Sequence, residues 1–329
     1  MAVLSLPATE ASARSMGGKS GLKQTQVKKK ATQKSHRKKA QKSHRKRVRK
    51  PSNNVQAKAA YCIDLTAKKA IVSRNADKPL PVASLTKLVT ALVVLDHMSL
   101  RTMVTVPEYV RKIPKSVVGL KPGDRLSVND VLHGLLISSG NDCAEVLAHA
   151  FPGGRCAFVR AMNRKVQQLG AKHTVFYNPS GLDVKVRKSS KDPECVSVHS
   201  NVSSAKEMAI IARTAFSNKI IRRICTTKSY VMKSSSRKQG YRVHTTNKLL
   251  RDHLPVIGGK TGFTARAGHC LASAFTPGHK ALIIVVLGSP DHFQDTRLIY
   301  RKALQRMGKS RVGDSRVRKQ AQLALRQHE

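Results

Sequence analysis

The sequence predicts a mixed α/β (α+β) domain. An antiparallel sheet, built from strands near both ends of the domain, packs with a mainly helical region between them. Three observations carry this. Ala59–Asp64 and Lys69–Arg74 read as two strands around a turn at residues 64–68. From Ser84 the pattern changes to helix, with Leu88, Leu92 and Leu95 spaced four and three apart on one face. Near the other end, the apolar runs Cys270–Phe275 and Ala281–Leu287 flank Thr276-Pro277-Gly278-His279, a turn that makes a β-hairpin. Joining the two hairpins in one sheet leaves the helices between them.

The other elements follow in chain order. Residues 1–13 resemble the end of a secretory signal: Ala2-Val3-Leu4-Ser5-Leu6 is a short apolar piece and Ala11-Ser12-Ala13 fits a small-x-small cleavage site. That reading expects the true start upstream and an exported protein, in the periplasm or cell envelope. Residues 14–56 form a basic tail with no acidic residue, in which Lys34-Ser35-His36-Arg37-Lys38 recurs as Lys42-Ser43-His44-Arg45-Lys46. Like charges that repel, with little apolar surface to bury, predict disorder there. The domain is expected to span 57–308, with a basic extension over 309–329. Pro79 and Pro81 force extended backbone ahead of Ser84. Val128–Ala150 reads as helix interrupted at Ser138-Ser139-Gly140, Phe158–Leu169 and Ser204–Phe216 as further helices, and Asp295–Met307 as a closing helix. Ser229–Met232 and Arg242–Thr245 read as short strands.

The 329 residues carry a net charge of +44, much of it before residue 60. No apolar run approaches the 20 or so residues of a membrane-spanning helix. Six cysteines, Cys62, Cys143, Cys156, Cys195, Cys225 and Cys270, contain no C-x-x-C pair, which argues against a zinc or thioredoxin-type site. They permit disulfides in an exported protein without assigning pairs. Cys62 and Cys270 sit in apolar strand-like contexts and are expected to be buried thiols.

Three short patterns could carry chemistry. Ser84-Leu85-Thr86-Lys87 opens an apolar helix, where a hydroxyl meets the positive end of the helix dipole and Lys87 shares its face. A desolvated lysine beside a hydroxyl can serve as a base. Ser139-Gly140-Asn141 offers a hydroxyl and an amide at the break of a helical run. Lys260-Thr261-Gly262, after Gly258-Gly259, offers an ammonium and a hydroxyl to a carboxylate where glycine lets a ligand approach the backbone. Alone, each pattern also fits a cap, a loop or a turn. Together, in this order, they form the S-x-x-K, S-x-N, K-T-G set of penicillin-binding proteins and β-lactamases.

The wider text sharpens the resemblance. Residues 77–87 (DKPLPVASLTK), Asn178-Pro179-Ser180-Gly181-Leu182-Asp183, Ser204-Ala205-Lys206-Glu207-Met208-Ala209 and Gly259-Lys260-Thr261-Gly262-Phe263-Thr264 resemble low-molecular-mass penicillin-binding proteins, the serine D-alanyl-D-alanine carboxypeptidase and endopeptidase family. The resemblance covers about 57–308 and implies a β-lactamase/D,D-peptidase-like fold. It implies Ser84 as the acylated nucleophile and Lys87 as the base. Ser139 and Asn141 would pass protons and hold the substrate amide. Lys260 would supply positive field and Thr261 would bind the substrate carboxylate. The backbone N–H groups of Ser84 and Phe263, beside Gly262, would form the oxyanion hole. No metal or organic cofactor is needed. The implied partners are peptidoglycan stem peptides and, as covalent inhibitors, β-lactams. The implied function is D-Ala-D-Ala carboxypeptidase activity in cell-wall biogenesis or remodelling.

Two departures matter: the first counts against recognition of a free terminal carboxylate, and the second is more like the endopeptidase branch, which cuts D-alanyl crosslinks. No arginine stands in Thr245-Thr246-Asn247, where some carboxypeptidases of the family carry one, and little chain follows the closing helix. A class A β-lactamase would need a glutamate for deacylation, and neither Glu194 nor Glu207 sits in such a context. A basic nucleic-acid-binding protein would explain the charge, yet the chain has no Trp and few Phe or Tyr for stacking, and that reading leaves the three patterns unexplained. The tail is instead expected to meet an anionic wall or membrane surface.

Overall fold

The structure, a computed structural model, describes residues 54–114, 116–183 and 200–308. The possible signal remnant, the basic tail up to residue 53, Cys195 and the C-terminal extension lie outside the described residues. Strands β1 (Ala59–Asp64) and β2 (Lys69–Arg74) form the first hairpin, with the bounds their alternation predicts. A two-residue strand β3 (Leu80–Pro81) leads into a 3-10 turn over Ala83–Thr86 and then helix α1 (Lys87–His97). Ser84 therefore sits in the 3-10 turn, and the α-helix opens at Lys87, one turn later than the apolar periodicity suggests.

Short strands β4 (Met103–Thr105) and β5 (Arg125–Ser127) pair with each other. Helices α2 (Val128–Ile137) and α3 (Asn141–Ala150) follow, separated at Ser138–Gly140 as the sequence predicts. Ser127 caps α2, accepting the Asp130 N–H at 3.0 Å. Then come α4 (Gly154–Gln168), β6 (Val202–Ser203) and α5 (Ala205–Ser217), which Ser204 caps through the Glu207 N–H. Helix α6 (Lys219–Thr226) is additional to the sequence reading. Asn218 caps it through the N–H groups of Ile220 and Ile221.

Strands β7 (Ser229–Met232) and β8 (Tyr241–His244) pair as a hairpin. Strands β9 (Val256–Thr264), β10 (Gly268–Phe275) and β11 (Leu282–Ser289) and the closing helix α7 (His292–Gly308) complete the chain.

The main sheet has the order β2-β1-β11-β10-β9, so the two hairpins meet where β1 pairs antiparallel with β11. Alternation along β11 explains the layers. Ile283, Val285 and Leu287 face the helices α1–α6, and Leu282, Ile284 and Val286 face α7. Both faces are buried, which is why this strand reads as a continuous apolar run. Cys62 and Cys270 are buried free thiols within these layers, as are Cys143 and Cys225.

Lys260-Thr261-Gly262, to which the sequence reading assigned no element, lies in the middle of β9, an edge strand. Gly258 and Gly259 are strand residues without room for side chains. A Cβ at Gly258 would lie 2.5 Å from the Phe216 ring, and one at Gly259 2.4 Å from the Asn247 amide.

Candidate active site

The three patterns converge on one cleft of about 520 Å³ between the edge strand β9 and the helical region. Ser84, Ser139, Asn141, Thr261, Gly262 and Phe263 line it. Lys87 and Lys260 lie just behind the lining, with 0% and 1% of their surface exposed.

Lys87 leaves α1 at its first residue, so its side chain returns along the helix face toward the preceding turn and Ser84. Its Nζ donates to Ser84 Oγ at 2.8 Å, to Asn141 Oδ1 at 2.8 Å and to the Ser180 carbonyl at 2.6 Å. Burial pushes its pKa well below the ordinary lysine value. The charge of Lys260 acts in the same direction, while Cys143, Asp142 and Glu145 oppose it.

Lys260 points from β9 toward the break between α2 and α3. Its Nζ donates to Ser139 Oγ and to the Thr261 carbonyl, both at 2.8 Å. Burial lowers its pKa to about 7, with Cys225 opposing. Two buried lysines thus hold the two serines of the cleft.

Backbone geometry places the hydroxyls. Ala83 (φ 48°) and Ser139 (φ 63°) adopt the left-handed region, which side chains rarely enter and which costs about 1–3 kcal/mol each. Surrounding contacts hold Ala83 there. Gly181 has φ 83°, and a Cβ on it would lie 2.0 Å from the Ala83 carbonyl oxygen. At Gly262 a Cβ would lie 3.0 Å from the backbone nitrogen of Ser84, so β9 reaches the nucleophile's N–H only because this position is glycine.

The segment Asn178–Asp183 forms the support of the site. Asn178 Oδ1 accepts from Ser180 N and Gly181 N, bending the loop so that the Ser180 carbonyl meets Lys87. Asn201 spans the gap, donating to Thr86 Oγ1 at 3.0 Å and to the Asn178 carbonyl at 2.8 Å. Thr90 Oγ1 donates to the Pro179 carbonyl. Sequence reasoning missed Asn201: it lies 115 positions from Thr86 and has no local pattern to mark it.

On the other side, Thr246 Oγ1 and Thr261 Oγ1 are 2.6 Å apart, and Thr246 N donates to the Ile137 carbonyl. Phe263 is 61% exposed and its ring lies 4.4 Å from that of His269. No cluster of residues suited to hold a metal ion occurs among the described residues.

A serine hydroxyl in contact with a desolvated amine, with backbone N–H groups and further hydroxyls beside it, is an arrangement suited to acyl transfer. Comparison with known proteins agrees. The sequence profile of a peptidase family described as D-alanyl-D-alanine carboxypeptidase matches residues 44–291. The carboxypeptidase DacF of Bacillus subtilis is 30% identical over 239 residues, 71% of this chain and 58% of that relative. The D-alanyl-D-alanine endopeptidase of Escherichia coli is 34% identical over 243 residues, 72% of this chain and 74% of that one. Among solved structures, a D-alanyl-D-alanine carboxypeptidase from Mycobacterium tuberculosis superposes with a TM-score of 0.69 at 28% identity, covering 77% of this chain and 92% of that chain. Penicillin-binding protein D2 of Listeria monocytogenes, in its ampicillin-bound form, gives 0.65 at 26%, covering 78% and 100%.

Proposed function

Because this chain belongs to the D-alanyl-D-alanine carboxypeptidase family of peptidases, we propose that it is a serine D-Ala-D-Ala carboxypeptidase acting on peptidoglycan stem peptides. One observation carries the chemistry: the bond from the fully buried Lys87 Nζ to Ser84 Oγ, which itself faces the cleft. The other two partners of Lys87 are carbonyl oxygens, which only accept. A neutral amine there commits both N–H groups to Asn141 and Ser180, so its lone pair is left for Ser84. Ser84 Oγ attacks the carbonyl carbon between two D-residues, and its proton passes to Lys87 Nζ. The oxyanion forms against the N–H groups of Ser84 and Phe263. The C–N bond then breaks, and the proton that Lys87 took passes through Ser139, which Lys260 positions, to the leaving amine, so Lys87 is neutral again. Asn141 holds the substrate amide and Thr261 its carboxylate. Water hydrolyses the acyl-enzyme and restores Ser84.

A second reading, D,D-endopeptidase, is favoured by the threonine pair Thr246–Thr261, which puts neutral hydroxyls where some carboxypeptidases of the family use arginine. Both readings place the protein outside the cytoplasm, in the periplasm or cell envelope. Charge assigns the basic tail to an anionic wall or membrane surface; salt-sensitive binding to purified sacculi, lost on removing residues 1–56, tests this.

The test of function is mass spectrometry after exposure to benzylpenicillin, joined to digestion of purified peptidoglycan. One adduct is expected, absent in Ser84→Ala, and the released fragments, free D-alanine or uncrosslinked stems, decide between the two readings. An adduct that survives Ser84→Ala overturns the nucleophile assignment.

A further inference from the structure

The reaction centre uses the floor of the cleft and leaves its outer wall without a role. That wall begins at Lys248, the first residue of a 3-10 turn over Lys248–Arg251. Asn247 fixes the turn: its Oδ1 accepts the Leu249 N–H at 3.1 Å, and its amide nitrogen packs against Gly259, two residues before Thr261. The exposed ammonium of Lys248 lies 5.8 Å from the centre of the Phe293 ring. From Phe293 the wall continues as a row of rings through His292 (4.0 Å) and His269 (4.9 Å) to Phe263 (4.4 Å).

The cleft needs a cation here. A substrate carboxylate at Thr261 finds two hydroxyls, which give hydrogen bonds but no charge. Lys260 cannot answer for it directly, because its Nζ is buried and already bonded to Ser139 Oγ and the Thr261 carbonyl. Burial also keeps His292 uncharged at neutral pH, with a pKa of about 4. Among the described residues lining the cleft, Lys248 is the one lysine or arginine, and it makes no ion pair with any described residue. Asp183, the one acid of that lining, accepts the Ser200 hydroxyl. Asp252, close in sequence, is engaged by Arg297 at 2.8 Å. No acid occurs in the sequence between Glu207 and Asp252, and Asp291, at the Phe293 end of the wall, accepts the N–H groups of Phe293 and Gln294.

We infer that Lys248 is the specificity-determining cation that pairs with the substrate carboxylate next to the scissile bond, beside the Thr246–Thr261 hydroxyls and steadied by the face of Phe293. The inference rests on the D,D-peptidase reading and names the charge that reading lacks. A lysine does this differently from an arginine. Arginine's planar fork fixes one carboxylate geometry, whereas an ammonium on a flexible stem follows carboxylates in several positions. The same residue therefore accepts a terminal D-alanine or the carboxylate of a longer leaving strand.

The experiment compares two peptides ending in D-Ala-D-Ala, one with a free carboxylate and one with a C-terminal carboxamide, using the full chain. The wild type should prefer the acid. In Lys248→Met the ratio of kcat/KM for acid over amide should fall roughly 5- to 10-fold, the scale of a charge-assisted contact at a partly exposed site. The loss should lie in KM for the acid, with kcat near wild type, and Lys248→Arg should restore most of the ratio. Phe293→Leu should lower it less, and rising salt should erode it in the wild type but not in Lys248→Met. An unchanged ratio in Lys248→Met, or equal losses on acid and amide, overturns the inference while leaving the peptidase reading intact. A wild type that cleaves neither peptide and takes no penicillin on Ser84 overturns that reading first, and the inference with it. Should Lys248→Met fold poorly, Lys248→Gln and Phe293→Leu decide the matter by the same ratio.

Discussion

Lys87 and Lys248 serve the same cleft, yet Lys87 is fully buried and held by three acceptors at 2.6–2.8 Å, while Lys248 is exposed and rests over one ring at 5.8 Å. The difference matches the two roles proposed for them. A group that has to give up its proton at neutral pH is removed from water, because desolvation disfavours its charged form. A group that has to meet a charge brought by the substrate stays hydrated until that charge arrives, since burying an unpaired ion costs several kcal/mol. The floor of the cleft is therefore rigid and fully bonded, and the outer wall is open and lightly held. Substitutions on the floor should change rate constants, and those on the wall should change KM.

The largest effect should come from Lys87→Met, which keeps much of the volume of a fully buried side chain and removes the amine. Acylation by benzylpenicillin should fall about 10²- to 10⁴-fold, the usual contribution of a positioned base. Stopped-flow or gel-based acylation kinetics measure it, with circular dichroism to verify the fold. A well-folded variant acylating at the wild-type rate would show that the buried amine is not the base, and the contrast with Lys248 would lose its meaning.

A smaller effect is expected from Gly181→Ala. The new methyl group would press on the Ala83 carbonyl from a position whose φ of 83° already disfavours it. Ser84 should shift with Ala83, lowering acylation by up to about 10²-fold, the penalty of a displacement on the order of 1 Å. Stability should drop by about 1–3 kcal/mol. Loss of stability without loss of acylation rate would mean that this loop supports the fold but does not aim the nucleophile.

The smallest effect concerns pH. An unfolded chain keeps a lysine protonated to about 10.5, whereas folded Lys260 releases its proton near 7. Folding thus expels a proton between these values. The contribution of Lys260 to stability should be least favourable below pH 7 and should improve as pH rises from about 7 toward 10.5. Lys87 acts in the same direction. Urea midpoints between pH 6.5 and 9.5 should therefore show a positive slope that Lys260→Met flattens, while Lys248→Met leaves it alone. Equal slopes in wild type and Lys260→Met would contradict a desolvated lysine.

The sequence reveals these two regions unequally. Strands β1 and β2 are legible to the residue because their alternation is local, and the Ser84/Lys87 pair is legible because three-residue spacing on one helix face is local too. Helix α6 escapes notice. It is only eight residues long, too short for its cap Asn218 and the Ile221/Ile224/Cys225 spacing to stand out. Strand β9 goes unassigned around Gly258-Gly259, because these glycines make room for Phe216 and Asn247, which arrive from elsewhere. Asn201 and the carbonyl of Ser180 are invisible for the same reason: their partners are distant in the chain. The outer wall is hidden altogether, because Lys248, His269, His292 and Phe293 come from three elements and form no motif.

The pairing of β1 with β11 sets a timetable for the enzyme. Ala59 stands opposite Leu287, and β10 and β9 hang on β11, so the strand carrying Lys260 and Thr261 lacks a sheet to join until most of the chain is available. Contacts this far apart in sequence close slowly, because the intervening chain must be ordered before they form. A partly synthesised chain can hold Ser84 and Lys87 on adjacent turns, yet it lacks the opposite bank of the cleft. Activity therefore arrives late and all at once, with the last strands acting as the latch.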